Sequence, residues 1–313
     1  MNKQSKIYLA GHRGLVGSAI LRKLQAKGYS NILTRTHAEL DLTRQAEVEA
    51  FFSSEKPEYV ILSAAKVGGI GANSAFPADF IYENLAIAQN IIHSSYKSGV
   101  TKLLNLGSSC IYPKMAPQPM KEESFMTGPL EVTNEAYAVA KIAAIRLCKH
   151  FNDQYGTNFI SAMPTNMYGP GDNYELNGSH VLPAMIRKFH DGKAKGGPVV
   201  LWGDGSAYRE FLYSDDLADA VVYLLEQKDY PEVGEFINVG SGRELTIRQL
   251  AETISGIVGY RGEVRWDSTK PNGTPRKLMD SGRLFGLGWK PRVDLEDGIR
   301  LAYEDFLSRG IGD

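Results

Sequence analysis

Apolar residues along the chain fall into short unbroken runs separated by stretches of helical spacing, and the two textures alternate. Ile7 to Ala10, Asn31 to Thr34, Tyr59 to Ala65, Lys102 to Leu106 and Phe159 to Met163 read as strands. Their lack of in-and-out alternation marks strands covered on both faces, as in a parallel sheet. Between them Ser18 to Lys27, Gln45 to Ser54, Asp79 to Lys97 and Glu135 to about Phe151 repeat apolar positions three and four apart, so each predicts a helix. Alternating strands and helices predict an α/β fold, a Rossmann-type doubly wound parallel sheet. Beyond Pro170 the texture changes to loops rich in Gly, Asn and aromatic residues, with a helix over 180–190 and a strand over 199–202. This predicts a smaller mixed α/β substrate-binding domain. A helix over 215–226 and a strand over 236–239 return the chain to the first domain. The expected division is 1–168 plus about 215–241, against about 169–214 plus 242–313.

The first strand runs directly into Gly11-His12-Arg13-Gly14-Leu15-Val16-Gly17 and then into a helix that Gly28 stops. Glycines at this spacing allow a tight turn and close backbone approach to a pyrophosphate at a helix N-terminus. An NAD site usually shows an acid about 20 residues beyond the glycines. Here the second strand ends at Arg35 and His37 instead. Arg35, helped by Arg13, is placed to pair with the 2′-phosphate of NADP, the alternative being a solvated charge at a strand end. Lys66 to Asn73 is a glycine-rich loop, either a flexible connection or a flap at the ligand.

Composition narrows the classes. The 313 residues carry a formal net charge of -1, with no local basic patch, which argues against nucleic acid or an anionic membrane as partner. No apolar run approaches the ~20 residues of a membrane helix. The chain enters a strand within a few residues of Met1, leaving no room for a signal peptide. Two cysteines, Cys110 and Cys148, are too few for a disulfide framework and lack metal-ligand spacing, so no metal is expected. A cytoplasmic protein with free thiols is the expectation.

The chemistry gathers at Leu104-Asn105-Leu106-Gly107-Ser108-Ser109-Cys110-Ile111-Tyr112-Pro113, where a strand hands over to two hydroxyls and a thiol. Further on, Tyr137 and Lys141 stand one helical turn apart. A lysine charge stabilises tyrosinate and lowers a phenol pKa from about 10, so the hydroxyl can exchange a proton with a carbonyl while hydride moves. Cys110 reads equally as small filler at a strand end, and His180 as a cap or an exposed side chain.

With the glycine loop, Ser108 and the Tyr137–Lys141 pair together, the chain resembles the extended short-chain dehydrogenase/reductase superfamily that modifies nucleotide-sugars. The likeness spans nearly the whole sequence. The group's serine sits four residues before a tyrosine, which selects Ser108 before Tyr112. Four stretches narrow it further: the glycine loop, Ala64 to Ile70, Gly107 to Lys114, and Met163 to Pro170 resemble the GDP-L-fucose synthase family. That resemblance implies NADP(H), a GDP-4-keto-6-deoxy-D-mannose substrate, epimerisation at C3 and C5, and reduction at C4. It makes Cys110 the carbon base and His180 the matching acid. It also implies a cofactor wall built from the glycine loop, Arg35, His37, Asp41, Leu42, Ala64, Leu106, Gly107, Lys141, Pro164, Asn166, Met167 and His180. Lys188, Trp202, Arg209 and Asn272 go to the GDP-sugar with Ser108, and the subunits form a homodimer through paired helices. Two positions depart from the family pattern: His37, where a second arginine can hold the 2′-phosphate, and Asn272, where an aspartate can contact the nucleotide.

Two other readings compete. A 4,6-dehydratase or 4-epimerase would hold NAD tightly, but dehydratases of this group carry Asp-Glu after the serine or threonine, where this chain has Ser109-Cys110. A dinucleotide-sensing scaffold would need neither Tyr137 nor Lys141.

Overall fold

The computed structural model describes residues 1–176, 178–270 and 272–310. Asn177, Pro271 and the last three residues, all within the expected substrate-binding domain, lie outside the described residues. In chain order the first half contains β1 (Ile7–Ala10), α1 (Leu15–Ala26), β2 (Ile32–Leu33), α2 (Gln45–Glu55), β3 (Tyr59–Leu62), α3 (Ile70–Ala75), α4 (Pro77–Lys97), β4 (Lys102–Leu106) and α5 (Glu135–Tyr155). Then come β5 (Phe159–Pro164), β6 (Asn166–Tyr168), α6 (Val181–Lys195), β7 (Val199–Trp202), β8 (Tyr208–Tyr213), α7 (Ser214–Gln227), α8 (Tyr230–Val233) and β9 (Ile237–Val239). The chain finishes with β10 (Glu244–Thr246), α9 (Ile247–Val258), β11 (Val264–Asp267), β12 (Arg276–Lys277), α10 (Gly282–Gly286) and α11 (Leu295–Ser308).

Six strands form one parallel sheet in the order β2-β1-β3-β4-β5-β9. The strand order reverses between β1 and β3, so a crevice opens beyond their C-terminal ends, where an open α/β sheet takes its ligand. Alternate residues of each strand go to opposite faces. Ile7, Leu9, Ile61, Leu104 and Ile160 pack with the α1 and α7 side, while Tyr8, Val60, Leu103 and Phe159 pack with the α2, α4 and α5 side. Both faces are covered, which is why these strands read as continuous apolar runs.

A second assembly centres on β8, paired with β6 and β12 in parallel and with β10 antiparallel. Beside it β7 and β11 form a two-stranded parallel ribbon, and a separate apolar cluster joins Phe189, Leu201, Phe211, Ile254 and Phe306. The sequence reading misses β8 as a strand because Arg209 and Glu210 interrupt its apolar pattern. Glu210 is 0% exposed, its carboxylate accepting from the backbone N–H groups of Gly242 and Met279.

Several boundaries differ from expectation for local reasons. Helix α1 begins at Leu15 rather than Ser18, with Gly14 as its N-cap. Helix α5 continues past Phe151 to Tyr155 and ends where Gly156 turns left-handed. The loop over 66–73 is partly helical, since α3 starts at Ile70. Strand β3 stops at Leu62, and Ser63 to Ala65 follow as irregular backbone, with the Ser63 N–H still donating to the Ala10 carbonyl at 3.1 Å.

Candidate active site

A cavity of about 1310 Å³ runs from the glycine turn across the crevice to the β8 assembly. At one end Gly11, at φ +87°, occupies a conformation that side chains disfavour. A Cβ at Gly17 would stand 2.0 Å from the Gly11 carbonyl oxygen, so this glycine lets helix α1 close onto the turn. Gly14 caps α1 without a side-chain bond, leaving the first backbone N–H groups of the helix free for an anion. Gly11, Gly14, Leu15 and Val16 line the cavity; His12, Arg13 and Gly17 belong to the turn but not to the wall. Such a turn, widening past Ala64, Leu106 and Gly107, fits a dinucleotide.

The 2′-phosphate end is more committed than the sequence suggested. Arg35 lines the cavity, yet its guanidinium donates to Glu55 Oε1 at 2.9 Å and to the Thr34 carbonyl at 2.8 Å. It is therefore ion-paired rather than merely solvated, and keeps further guanidinium donors on the cavity wall. The His37 side chain is largely exposed, with Nδ1 3.8 Å from Asp41. Two backbone and side-chain donors of Thr43 hold the Asp41 carboxyl below its usual range.

The other end gathers side chains. Ser108 caps a short 3₁₀ turn over Ser109–Ile111, its hydroxyl accepting from the Cys110 N–H at 3.5 Å. Ser108, Cys110, Tyr137, Lys141 and His180 all line the cavity, together with Pro164, Asn166, Met167, Asp41 and Leu42. Tyr112 is buried and donates to Asn238 Oδ1 at 2.6 Å, so it braces the turn. Burial pushes the Cys110 thiol up, opposed first by the charge of Lys277.

The Tyr137–Lys141 pair departs from expectation. Lys141 Nζ donates to the Leu106 carbonyl at 2.8 Å and lies 5.7 Å from the centre of the Tyr137 ring. Burial raises the Tyr137 phenol, negative charge at Cys110 adds to the rise, and the Ser108 hydroxyl opposes it. Lys141 is pushed down to about 8 by burial. Burial thus dominates at the phenol, which favours its protonated, proton-donating form. His180, at the N-cap of α6, lines the cavity and is exposed to it; desolvation by the neighbouring protein and then the Lys277 charge lower its pKa.

The substrate residues divide. Arg209 and Asn272 line the cavity, and Arg209 has no carboxylate partner within 4.0 Å among the described residues. Asn272 is partly spent: its Oδ1 accepts from the Asp204 N–H at 2.9 Å. Lys188 and Trp202 lie off the wall. Lys188 donates to the Val200 carbonyl at 2.9 Å, tying α6 to β7. The alternation of β7 turns Trp202 outward, 62% exposed, with Lys270 5.8 Å from its ring centre. Sequence reasoning missed Lys277, Asp172 and the Lys114–Glu131 pair, all on the wall. Lys277 stands five residues beyond Asn272, and that nearness in sequence was the only signal available. No group of three or more His, Cys, Asp or Glu suited to a metal occurs among the described residues, and no described helix is long and apolar enough to cross a membrane.

A nicotinamide-type turn joined to a Ser-Tyr-Lys set defines a class, and the comparisons agree with it. Residues 7–240 match the model of the NAD dependent epimerase/dehydratase family, and the chain belongs to that family. Within it the chain is 59% identical to GDP-L-fucose synthase 1 of Arabidopsis thaliana, over 98% of this chain and 94% of that protein. It is 50% identical to GDP-L-fucose synthase of Escherichia coli K12, over 98% of each. A solved GDP-L-fucose synthetase of Naegleria fowleri bound to NADP superposes with a TM-score of 0.91 at 26% identity, covering 99% of this chain and 96% of that one.

Proposed function

We propose that this chain makes GDP-L-fucose, epimerising GDP-4-keto-6-deoxy-D-mannose at C3 and C5 and reducing the C4 ketone. The supporting observation is that one cavity holds the glycine turn, the Ser108-Tyr137-Lys141 set, and a thiol and an imidazole besides. The glycine turn and Arg35 would hold NADPH, which would supply the hydride. Ser108 and Tyr137 polarise the C4 oxygen, and Tyr137, kept protonated by burial, gives its proton there as reduction proceeds. Lys141, charged below about pH 8, offsets the negative charge left on the phenol. Carbonyl polarisation also loosens the protons on C3 and C5, which flank C4. Cys110 takes each proton from one face and His180 returns one to the other. Arg209, with Asn272 beside it, faces the diphosphate; Lys188 and Trp202 have no role in this reading. Ser109 and Cys110 offer no carboxylate pair for dehydration.

On this reading residues 1–168 with about 215–241 hold NADP, and about 169–214 with 242–313 hold the GDP-sugar. We further infer a homodimer through α4 and α5, which pack together and expose Tyr82, Val139 and Tyr155, and a cytoplasmic setting for its two unpaired buried thiols. The test is incubation with GDP-4-keto-6-deoxy-D-mannose in deuterated water, with product identified by NMR. Wild type incorporates deuterium at C3 and C5, and Cys110→Ser loses most of it. Incorporation at the wild-type rate in that variant overturns the assignment of Cys110.

A further inference from the structure

Strand β12 is only two residues long, yet its position is fixed from several sides. It pairs in parallel with β8, setting Lys277 beside Arg209 on one face of the sheet. Immediately after it, the Leu278 N–H donates to Gln118 Oε1 at 2.9 Å, and the Met120 N–H donates to the Leu278 carbonyl at 2.8 Å. The Asp280 N–H returns to the Met120 carbonyl at 2.9 Å, and the Asn238 side-chain amide donates to the carbonyls of both Met120 and Asp280. Gln118 and Met120 belong to the segment that leaves the Cys110 turn, and Ile111, Tyr112, Met120 and Met279 share one apolar cluster. A lysine from near the chain's end is thus locked, through backbone bonds, to the segment that carries the thiol.

The charges around that thiol come from every element packed on it. Lys277 faces it from β12, Lys141 and Tyr137 from α5, and Ser108 from its own turn. Arg209 from β8 and Glu131 from the segment before α5 act on Lys277, Glu131 being ion-paired to Lys114 at 3.0 Å. His180 also feels the Lys277 charge.

We propose that Lys277 is a positioning residue for Cys110, its ammonium serving as the counter-charge of the thiolate that removes the carbon proton. The inference rests on Cys110 being the carbon base. In the step itself the thiolate takes the proton from carbon and becomes the thiol, the electron pair moves into the enolate at C4, and Lys277 keeps its own proton throughout. The hydrogen bonds that fix β12 against the segment leaving the Cys110 turn, and the cavity that Lys277 and Cys110 both line, bring the two groups together. In keeping with that placement, burial raises the thiol and the Lys277 charge opposes the rise. The effect is mutual, since charge on Cys110 supports the Lys277 ammonium against its own burial. The same lysine lowers the pKa of the His180 imidazolium, which makes that group the stronger proton donor once charged.

The test needs no substrate. The full-length protein is alkylated with iodoacetamide across a pH series, and modification of Cys110 is read on its own peptide by mass spectrometry, with fully buried Cys148 as an internal silent thiol. Lys277→Met raises the midpoint for Cys110 by about one unit; below it, thiolate loss of about tenfold is partly offset by higher nucleophilicity, leaving alkylation about threefold slower. Lys277→Arg restores the midpoint to within a few tenths of wild type. An unchanged midpoint in Lys277→Met overturns the proposal and leaves Lys277 a diphosphate ligand, seen as a raised KM for the GDP-sugar. A Lys277→Arg midpoint matching the Met variant also overturns it, because charge is then not the cause. Failure of the parent reading shows separately, as undiminished deuterium exchange in Cys110→Ser.

Discussion

At the β1–α1 end of the cavity the working groups are backbone, supplied within seven consecutive residues by Gly11 to Gly17, and what they need from side chains is absence. At the opposite end every working group is a side chain, and these arrive from the end of β4, from α5, from the N-cap of α6 and from β12, residues 108 to 277 in sequence. The first end depends on shape alone, so local sequence specifies it. The second depends on the completed fold, because each group's charge is set by neighbours far along the chain.

That contrast can be broken at either end. The largest effect is expected from Tyr137→Phe, which removes the proton donor and leaves the cavity shape intact. Turnover, followed by NADPH consumption, falls by about 10²–10⁴-fold while cofactor binding stays within twofold or so. A parallel loss of cofactor affinity would erase the distinction between the two ends. Next comes Gly17→Ala, whose Cβ would fall 2.0 Å from the Gly11 oxygen. The turn must open, costing about 3 kcal/mol of stability and most of the NADPH affinity, with the pH response of Cys110 alkylation unmoved. Calorimetric binding and chemical unfolding read both.

The smallest effect belongs to Asp172, where the two ends approach: its neighbour Gly171 lies against Ser18 of α1, and the segment leads on to His180. Asp172 is 6% exposed, its Oδ2 has no hydrogen-bond partner among the described residues, and burial raises it to about 7 against the Asn173 N–H and the charge of Arg309. A carboxyl raised in the folded state is protonated there while the unfolded chain is already ionised. Stability therefore declines as pH rises from about 4 to about 7 and is level above. Asp172→Asn removes that decline: equal to wild type near pH 4, and more stable above pH 7 by about 2 kcal/mol, each unit being worth at most about 1.4 kcal/mol. Melting curves at pH 4.5 and pH 8 check the sign; a variant less stable at pH 8 refutes it.

The same contrast explains what could be read from the chain. The parallel sheet was legible because β1, β3, β4 and β5 are buried on both faces and need unbroken apolar runs. The glycine turn was legible because three glycines carry it in one stretch. Ser108, Tyr137 and Lys141 could be named, but not the balance of their charges: the Lys141 ammonium goes to the Leu106 carbonyl, a contact 35 residues away. Strand β8 was hidden because buried Glu210 looks like a surface charge until its backbone donors, from Gly242 and Met279, are in place. Lys277 was hidden similarly, in a stretch of Lys, Pro and Gly that reads as a solvated loop until its register with Arg209 is known. For Lys188 and Trp202 it was the resemblance that implied a contact with the GDP-sugar; in the structure Lys188 donates to the Val200 carbonyl and the alternation of β7 turns Trp202 outward, both off the cavity wall.

The bonds joining Gln118 and Met120 to Leu278 and Asp280 also define a unit of exchange. In a chimera between this chain and a relative acting on a different sugar, the segments around 108–134 and 276–282 form one module despite more than a hundred intervening residues. Grafting either alone puts a foreign partner against three hydrogen bonds at the rim of the pocket, two of them wholly backbone, whereas transplanting both together carries the thiol, its lysine and their spacing as one inherited piece.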